Sequence, residues 1–513
     1  MPLANSLIHD RVEYSFSVRA AIGDCGCQSG SHRKVENSAA FGFRRWKSSL
    51  LYGATIAQST ELGELPTVTI LPGVLRMLFK AILLPSLLCA IIFNHCDVSC
   101  AAEVPEGFQA IFNGQDLTGW HGMPHFDPRD LAKMTPENRA KQIAEWTEDA
   151  KKHWSVENEE LVNDGFGAYL VTDGEYTDYE LHIDYKTVPL ADSGIYLKGN
   201  PQVQIWDATE ESKFSIGANK GSGGLWNNSP GAEGKDPSAL ADRPFGEWNS
   251  FRIRQIGART SVWLNGKHVV DNAIMENYFD RENPLFPKGP ICLQTHGGEI
   301  RWRNIHLREI PAEEANQILT ESHADGFESK FNGIDLTGWA GAAENYEVVD
   351  GAIRCKAGHG GILHTSDEFA NFVVRLEFTV PPSGNNGLAI RTDGTGDPAY
   401  AAMCELQVLD SEQKNYANLD PRQYHGSAYG MAAAKRGFLR PANTWNFQEV
   451  TVNGSTIQVE LNGNVILNTD LAAVTEYMAN SPHPGKVRPS GFFGFAGHND
   501  PVAFRNISIK RLP

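Results

Sequence analysis

The chain has 513 residues and a formal net charge of -17. Without a basic stripe to neutralise phosphates, this composition argues against a nucleic-acid or anionic-membrane partner and fits a soluble protein acting on neutral ligands. Its length allows roughly two to four domains, and 11 Trp with 14 Tyr supply rings that either fill a core or stack on sugars.

Residues 1–76 lack sustained periodicity and read as a mis-called extension. Met77-Leu78-Phe79-Lys80 then gives a short basic start, Ala81 to Phe93 an apolar run, and Ser99-Cys100-Ala101-Ala102 a small-residue end. That is the layout of a secretory signal peptide over 77–102, too short for a membrane span. Cys100 has the position of a lipoprotein cysteine, but Asp97 stands where an apolar residue belongs, so secretion or periplasmic export without a membrane anchor is expected. The remaining cysteines, Cys292, Cys355 and Cys404, have no CxxC spacing, so neither a disulfide framework nor a zinc site is expected.

A first domain spans 104–310. It opens with Phe112 to Trp120, FNGQDLTGW, which reads as a short strand, a turn at Asn113-Gly114 and an aromatic returning to the core. Asp127-Pro128 and Thr135-Pro136 are helix-start pairs, and the spacing of Ala140, Ile143, Ala144 and Trp146 predicts a helix over 136–152, a surface strap or a lid. From Trp154 the pattern is β, with strands predicted at 154–157, 179–187, 194–198, 202–206, 249–256, 260–264, 290–295 and 300–308. Gly- and Pro-rich stretches such as 217–237 separate them. Residues 311–325 read as a linker, partly helical over 312–319.

The opening motif then returns as FNGIDLTGW at Phe331 to Trp339, and later landmarks recur in the same order. Ser193-Gly194-Ile195 pairs with Asn386-Gly387-Leu388, and Val203-Gln204-Ile205-Trp206-Asp207 with Leu406-Gln407-Val408-Leu409-Asp410. Trp248-Asn249 matches Trp445-Asn446, Leu264-Asn265-Gly266 matches Leu461-Asn462-Gly463, and Arg303-Asn304-Ile305 matches Arg505-Asn506-Ile507. A duplicated domain follows, with the second copy at 326–513. Many short strands without βαβ alternation predict all-β sandwiches.

Strand alternation sorts the side chains between core and outer face. In the first copy Tyr196, Lys198, Gln202, Gln204, Trp206 and His296 take outward parity; in the second, Arg391, Glu405, Gln407 and His498 do. Each copy is thus expected to carry a cation, an amide or carboxylate, and a histidine over one groove. Glu405 can exchange protons where Gln202 cannot, which makes the second copy the catalytic candidate. Tyr196, Trp206 and Trp226 give the first copy the look of a sugar-stacking surface. Asp207 and Asp410 end matching strands as ligands, bases or turn caps, and Tyr429 joins Gln407 and Asp410 among the candidate binding residues.

Together the FNG-x-DLTGW opening, the Ser/Asn-Gly strand start, the (E/Q)-x-Q-(I/V)-x-D run, Trp-Asn, Leu-Asn-Gly and the closing Arg-Asn-Ile resemble the 3-keto-disaccharide hydrolase family. The resemblance covers nearly all of 104–310 and 326–513. It implies concanavalin A-like jelly-roll sandwiches and cleavage of 3-keto-glycosides outside the cytoplasm. Carried over, the family's outward polar positions fall on Arg391, Glu405, Gln407 and His498, and in the first copy on Lys198, Gln202, Gln204 and His296. With Gly491 aligned on Gly289, Phe492 and Ala496 stand where the first copy has Pro290 and Gln294, so the two grooves differ.

The chemistry consistent with that family starts from a C3 ketone, which acidifies the C2 proton. Glu405 or His498 would remove it, Arg391 would stabilise the enolate, and the C1 substituent would leave. A divalent metal is an alternative source of that stabilisation, though no ligand spacing demands one and no cofactor is expected. Two further readings compete: a non-catalytic, lectin-like binding protein and a structural adhesion protein. A glycosidase with two carboxylates across one groove ranks lower, because the sequence offers only one firm carboxylate, Glu405.

Overall fold

The computed structural model describes residues 103–513. The predicted extension at 1–76 and the predicted signal peptide at 77–102 lie outside them. Among the described residues the strands form four antiparallel sheets, a long and a short one in each copy. The long sheet of the first copy runs in the order Lys267–Ile274, Arg259–Leu264, Asn249–Ile256, Tyr179–Thr187, Ile300–Glu309, Glu160–Asn163, Trp154–Glu157. Its short sheet runs Trp120–Met123, Tyr169–Thr172, Cys292–Leu293, Asp192–Tyr196, Gln202–Trp206. The second copy repeats both orders, its short sheet being Trp339–Gly341, Gly360–Phe369, Gly491–His498, Asn385–Thr392, Cys404–Leu409. Tandem β-sandwiches of the jelly-roll kind are therefore the architecture.

Apolar residues at alternate positions fill the space between each pair of sheets. Leu181, Ile183, Ile195, Val203 and Ile205 do so in the first copy, and Leu376, Phe378, Leu388, Leu406 and Val408 in the second. The nine-residue motif serves the same end. Asn113 Oδ1 accepts the amides of Gln115 and Asp116 at 2.8 and 3.0 Å, Asp116 Oδ1 accepts that of Thr118 at 2.9 Å, and Trp120 Nε1 donates to Ile111 O at 2.8 Å. Asn332, Asp335 and Trp339 repeat every one of these bonds. The motif is a self-capped turn that seats a tryptophan in the core, which accounts for its near-identity in the two copies.

The insertion in the first copy forms two helices, Pro128–Lys133 and Pro136–Ala150, capped by Asp127 and Thr135. It lies on the outer face of the short sheet, where Leu131, Ile143 and Trp146 pack on Met123, Val171, Tyr196 and Cys292. The strand Trp120–Met123 admits this close approach at Gly122, where a Cβ would overlap the Trp146 carbonyl.

The linker carries a helix, Ala312–Glu321, that seats Ala315 and Leu319 against Ile256 and Ile310 of the first copy and Phe447 of the second. Arg259 pairs with Glu460 at 2.5 Å, and Ala258 N donates to Gly463 O at 3.0 Å. These contacts bring together residues of both copies. No helix among the described residues is long and apolar enough to cross a membrane.

Candidate active site

In the short sheet of the second copy, register aligns side chains into two outward rows. His364, Gly494, Ala389 and Glu405 lie across one row, and Ile362, Ala496, Gly387 and Gln407 across the next. The four central residues are Gly or Ala. They leave a trough between Glu405 and Gln407 on one side and His364 and Ile362 on the other; its floor is itself buried, and the Glu405 side chain lies across it over Gly387. The matching rows of the first copy read Val171, Cys292, Tyr196, Gln202 and Tyr169, Gln294, Gly194, Gln204. Three of the four central positions there carry larger side chains, and the insertion helices cover the rest. The trough belongs to the second copy alone.

Within it, His498 Nε2 lies 3.0 Å from Glu405 Oε1. The Glu405 carboxylate is almost fully buried, while the His498 side chain is 43% exposed, so the pair has one partner inside and one reachable from solvent. The hydrogen bond that His498 donates to Glu405 raises the His498 pKa above its ordinary value, against the opposing effect of burial. Gly387 is required beneath the pair, because a Cβ there would overlap the carboxylate. Gln407 Nε2 donates to Asn385 Oδ1 at 2.7 Å, and Asn385 N donates to Asp500 Oδ2 at 2.9 Å, which fixes the neighbouring wall. Tyr429 is tied to the same strand by its backbone amide on Glu405 O at 2.9 Å, and its hydroxyl accepts from Gln423 Nε2 at 3.0 Å.

The two expected cations lie elsewhere, for one physical reason. Lys198 and Arg391 occupy matching positions and both adopt positive φ, 52° and 49°. That left-handed step ends the alternation on which their outward placement rested. Lys198 Nζ instead donates to Gly257 O at 2.7 Å, and Arg391 Nη1 to Gly454 O at 2.7 Å, the equivalent hairpin turn of the long sheet. Each cation thus staples its short sheet to its long sheet. Arg391 also donates to Ala370 O and Arg488 O at 2.7 and 3.0 Å, and its burial lowers its pKa. Lys198, fully buried, is pushed down to about 8 by desolvation. Neither faces the trough, and Arg391 is not positioned to stabilise an enolate.

The remaining candidates separate in the same way. Asp410 accepts Ser383 N at 2.9 Å and Asp207 accepts Leu190 N at 3.0 Å, so both carboxylates cap backbone turns. In the first copy Gln202 donates to Gln204, Gln204 donates to Asp192 Oδ1 at 2.8 Å, and His296 Nδ1 meets Asp192 Oδ2 at 3.1 Å. The histidine's carboxylate partner has therefore moved from the edge strand, where Glu405 stands, to the strand beside it. Tyr196 is packed among Tyr169 and His125, at centroid distances of 5.5 and 5.4 Å. Trp206 is buried, donates to Gly221 O at 2.9 Å, and sits edge-on to Trp226, which Lys235 overlies at 4.9 Å. The expected stacking surface is internal packing.

Sequence comparison between the copies missed His364, whose counterpart is Val171, and Tyr400, on the short helix Pro398–Ala401. Burial raises the Tyr400 pKa, and its ring packs on that of His483 at 4.8 Å. Among the described residues no group of three or more His, Cys, Asp or Glu side chains is arranged to hold a metal ion.

Two antiparallel sheets packed in this order put each copy in the concanavalin A-like jelly-roll class, a scaffold that serves both lectins and glycoside-cleaving enzymes. A family model described as the 3-keto-alpha-glucoside-1,2-lyase-like domain matches residues 107–308 and again 326–510. The chain belongs to this family, in two tandem copies, and is an enzyme of the glycoside hydrolase kind. A relative, the 3-keto-disaccharide hydrolase of Bacteroides thetaiotaomicron, is 26% identical over 248 residues, which span 40% of this chain and 86% of the relative. A candidate glycosyl hydrolase of known structure from Parabacteroides distasonis is 23% identical with a TM-score of 0.32, covering 37% of this chain and 95% of its own. A carbohydrate-binding module from Bacillus subtilis is 13% identical with a TM-score of 0.25, covering 34% and 95% respectively.

Proposed function

We propose that the second copy cleaves 3-keto-glycosides by elimination across C1 and C2, followed by addition of water. The observation that carries the reading is the buried Glu405 carboxylate, held under His498 at the edge of a trough floored by small residues. A C3 ketone makes the C2 proton acidic enough for a carboxylate base. Glu405 takes that proton, and the electron pair of the C2–H bond forms the C1–C2 double bond as the C1 substituent departs. The imidazolium of His498, whose protonated form Glu405 favours, supplies positive charge next to the developing enolate in place of the absent guanidinium.

The first copy supports folding of the pair rather than chemistry. Its trough is filled, and the binding-only reading loses the exposed rings of Tyr196 and Trp206 on which it rested. The same reading assigns the protein to the secretory pathway, on the signal-like layout of 77–102; N-terminal sequencing of the native protein starting near residue 103 would support export.

Incubation of the mature chain with a 3-keto-disaccharide and with its unoxidised parent tests the reaction. Release of the free sugar from the keto compound alone is expected. Equal cleavage of both, or of neither, would remove the elimination mechanism.

A further inference from the structure

We propose that the outer face of the first copy's long sheet is a docking surface for a helix of a partner protein, one with a carboxylate in its first turn and an asparagine three residues on. The inference is independent of the reaction proposed above. It starts from the second copy, where the same face of the equivalent sheet holds the linker helix Ala312–Glu321. There Asn316 is fully buried. Its Nδ2 donates to Glu377 Oε2 at 3.1 Å and to Trp445 O at 3.2 Å, and its Oδ1 accepts from Arg440 Nη1 at 2.5 Å. Glu313, in the first turn, pairs with Arg505.

Each group that receives Asn316 and Glu313 recurs in the first copy. Asp184 stands for Glu377, Trp248 for Trp445, Arg243 for Arg440 and Arg303 for Arg505. Their mutual geometry recurs as well. Arg243 Nη1 donates to Trp248 O at 3.0 Å, and Arg440 Nη1 to Trp445 O at 2.8 Å. Arg303 lies over the Trp248 ring at 4.0 Å, and Arg505 over Trp445 at 4.1 Å. Asn304 Nδ2 donates to Asp184 Oδ2 at 2.7 Å, as Asn506 Nδ2 does to Glu377 Oε1 at 2.5 Å. Further along, His182 packs on Phe108 at 4.4 Å where Arg375 lies over Phe327 at 4.2 Å. The seat is built twice.

In the first copy a groove of about 570 Å³ opens on this seat, lined by Asp184, Asn304, Ser250, Arg252 and Trp263, with Glu103 at its rim. The charge it shows is mainly cationic. Arg252 and Arg303 have side chains 46% and 31% exposed, whereas the carboxylates they meet, Glu180 and Asp184, are 9% and 17% exposed. An acidic first turn is the complement of that pattern. The apolar landing is cut differently. Phe447, on which Ala315 and Leu319 rest, is replaced by Ser250, while Trp263 stands where the second copy has Glu460. The occupant therefore places its apolar stripe over Trp263. Another molecule of this chain has no described helix of that length to spare, because Ala312–Glu321 and Pro136–Ala150 are both seated on their own sheets.

The probe is a fluorescein-labelled peptide of residues 311–323, titrated with the full chain and followed by anisotropy. The attached helix holds the second seat at high effective concentration, so the free peptide reports on the first. Saturable binding is expected below about 1 mM. Asn316→Leu and Glu313→Lys in the peptide should each weaken it about tenfold. Arg303→Glu in the chain should weaken the wild-type peptide and restore the Glu313→Lys peptide, a rescue that a misfolded chain cannot give. No binding of the wild-type peptide, equal binding of the altered ones, or a charge swap that restores nothing would overturn the proposal. So would displacement of the peptide by a 3-keto-disaccharide, which would make the groove a sugar site.

Discussion

Glu405 lies directly across its strand pair from Ala389, whereas the matching residue of the first copy, Gln202, lies across from Tyr196. The same two positions thus decide both the proton chemistry and the room for a ligand. Ala389→Tyr is expected to fill the trough and abolish saccharide binding. The equivalent position of the first copy already carries tyrosine, but Ala389 is itself fully buried, so the melting temperature should fall as well. Equilibrium binding of a 3-keto-disaccharide and a thermal melt measure the two effects; retained affinity with tyrosine in place would mean that ligand sits elsewhere.

His498 titrates above 6.5 because Glu405 accepts its hydrogen bond. Following its ring protons by NMR against pH should give a pKa above 6.5 in the wild type and a lower one in Glu405→Gln. A group whose folded pKa is raised stabilises the protein fully at pH below the unfolded value and loses that contribution as pH climbs through the folded one. The pair should therefore weaken as pH rises beyond 6.5, and identical titration in both proteins would show the contact to be unimportant in solution.

Lys198 behaves in the opposite sense. Its folded pKa of about 8 lies below the ordinary 10.5, so between those values the unfolded chain holds more protons and stability rises with pH. A gap of that size corresponds to about 3 kcal/mol at 1.36 kcal/mol per unit. Lys198→Met should abolish that rise in urea unfolding measured from pH 8 to 10.5 while leaving turnover unchanged.

Arg391→Met should act on stability in the same way and more severely. Its loss strips partners from the carbonyls of Ala370, Gly454 and Arg488. A cost of at least about 3 kcal/mol is expected, since each buried carbonyl left alone costs about 1–3. The fraction that remains folded should turn over substrate at close to the wild-type rate; a kcat loss without a stability loss would return the guanidinium to the site.

Much of this was readable from residue order. The repeated FNG-x-DLTGW motif fixed the duplication because a self-capped turn and a buried tryptophan admit few substitutes. Alternation put Glu405, Gln407 and His498 on the outer face, and each lies in a stretch of strand that keeps its register. It failed at Lys198 and Arg391, where one left-handed residue reverses the parity that a strand would continue. It also missed the cover on the first trough, because nothing in the helical spacing of 136–152 says which sheet face that helix will shield. His364 escaped notice for a different reason: its counterpart is Val171, so comparing the copies hides it. Small residues such as Gly494 and Ala496 announce a trough only once register sets them side by side.

The most direct test sets the two copies against each other. Initial rates on a 3-keto-disaccharide should fall by about 10²–10⁴-fold in Glu405→Gln and stay at the wild-type level in Gln202→Leu. Full activity in Glu405→Gln, or loss in Gln202→Leu with the fold intact, would contradict the assignment of chemistry to the second copy.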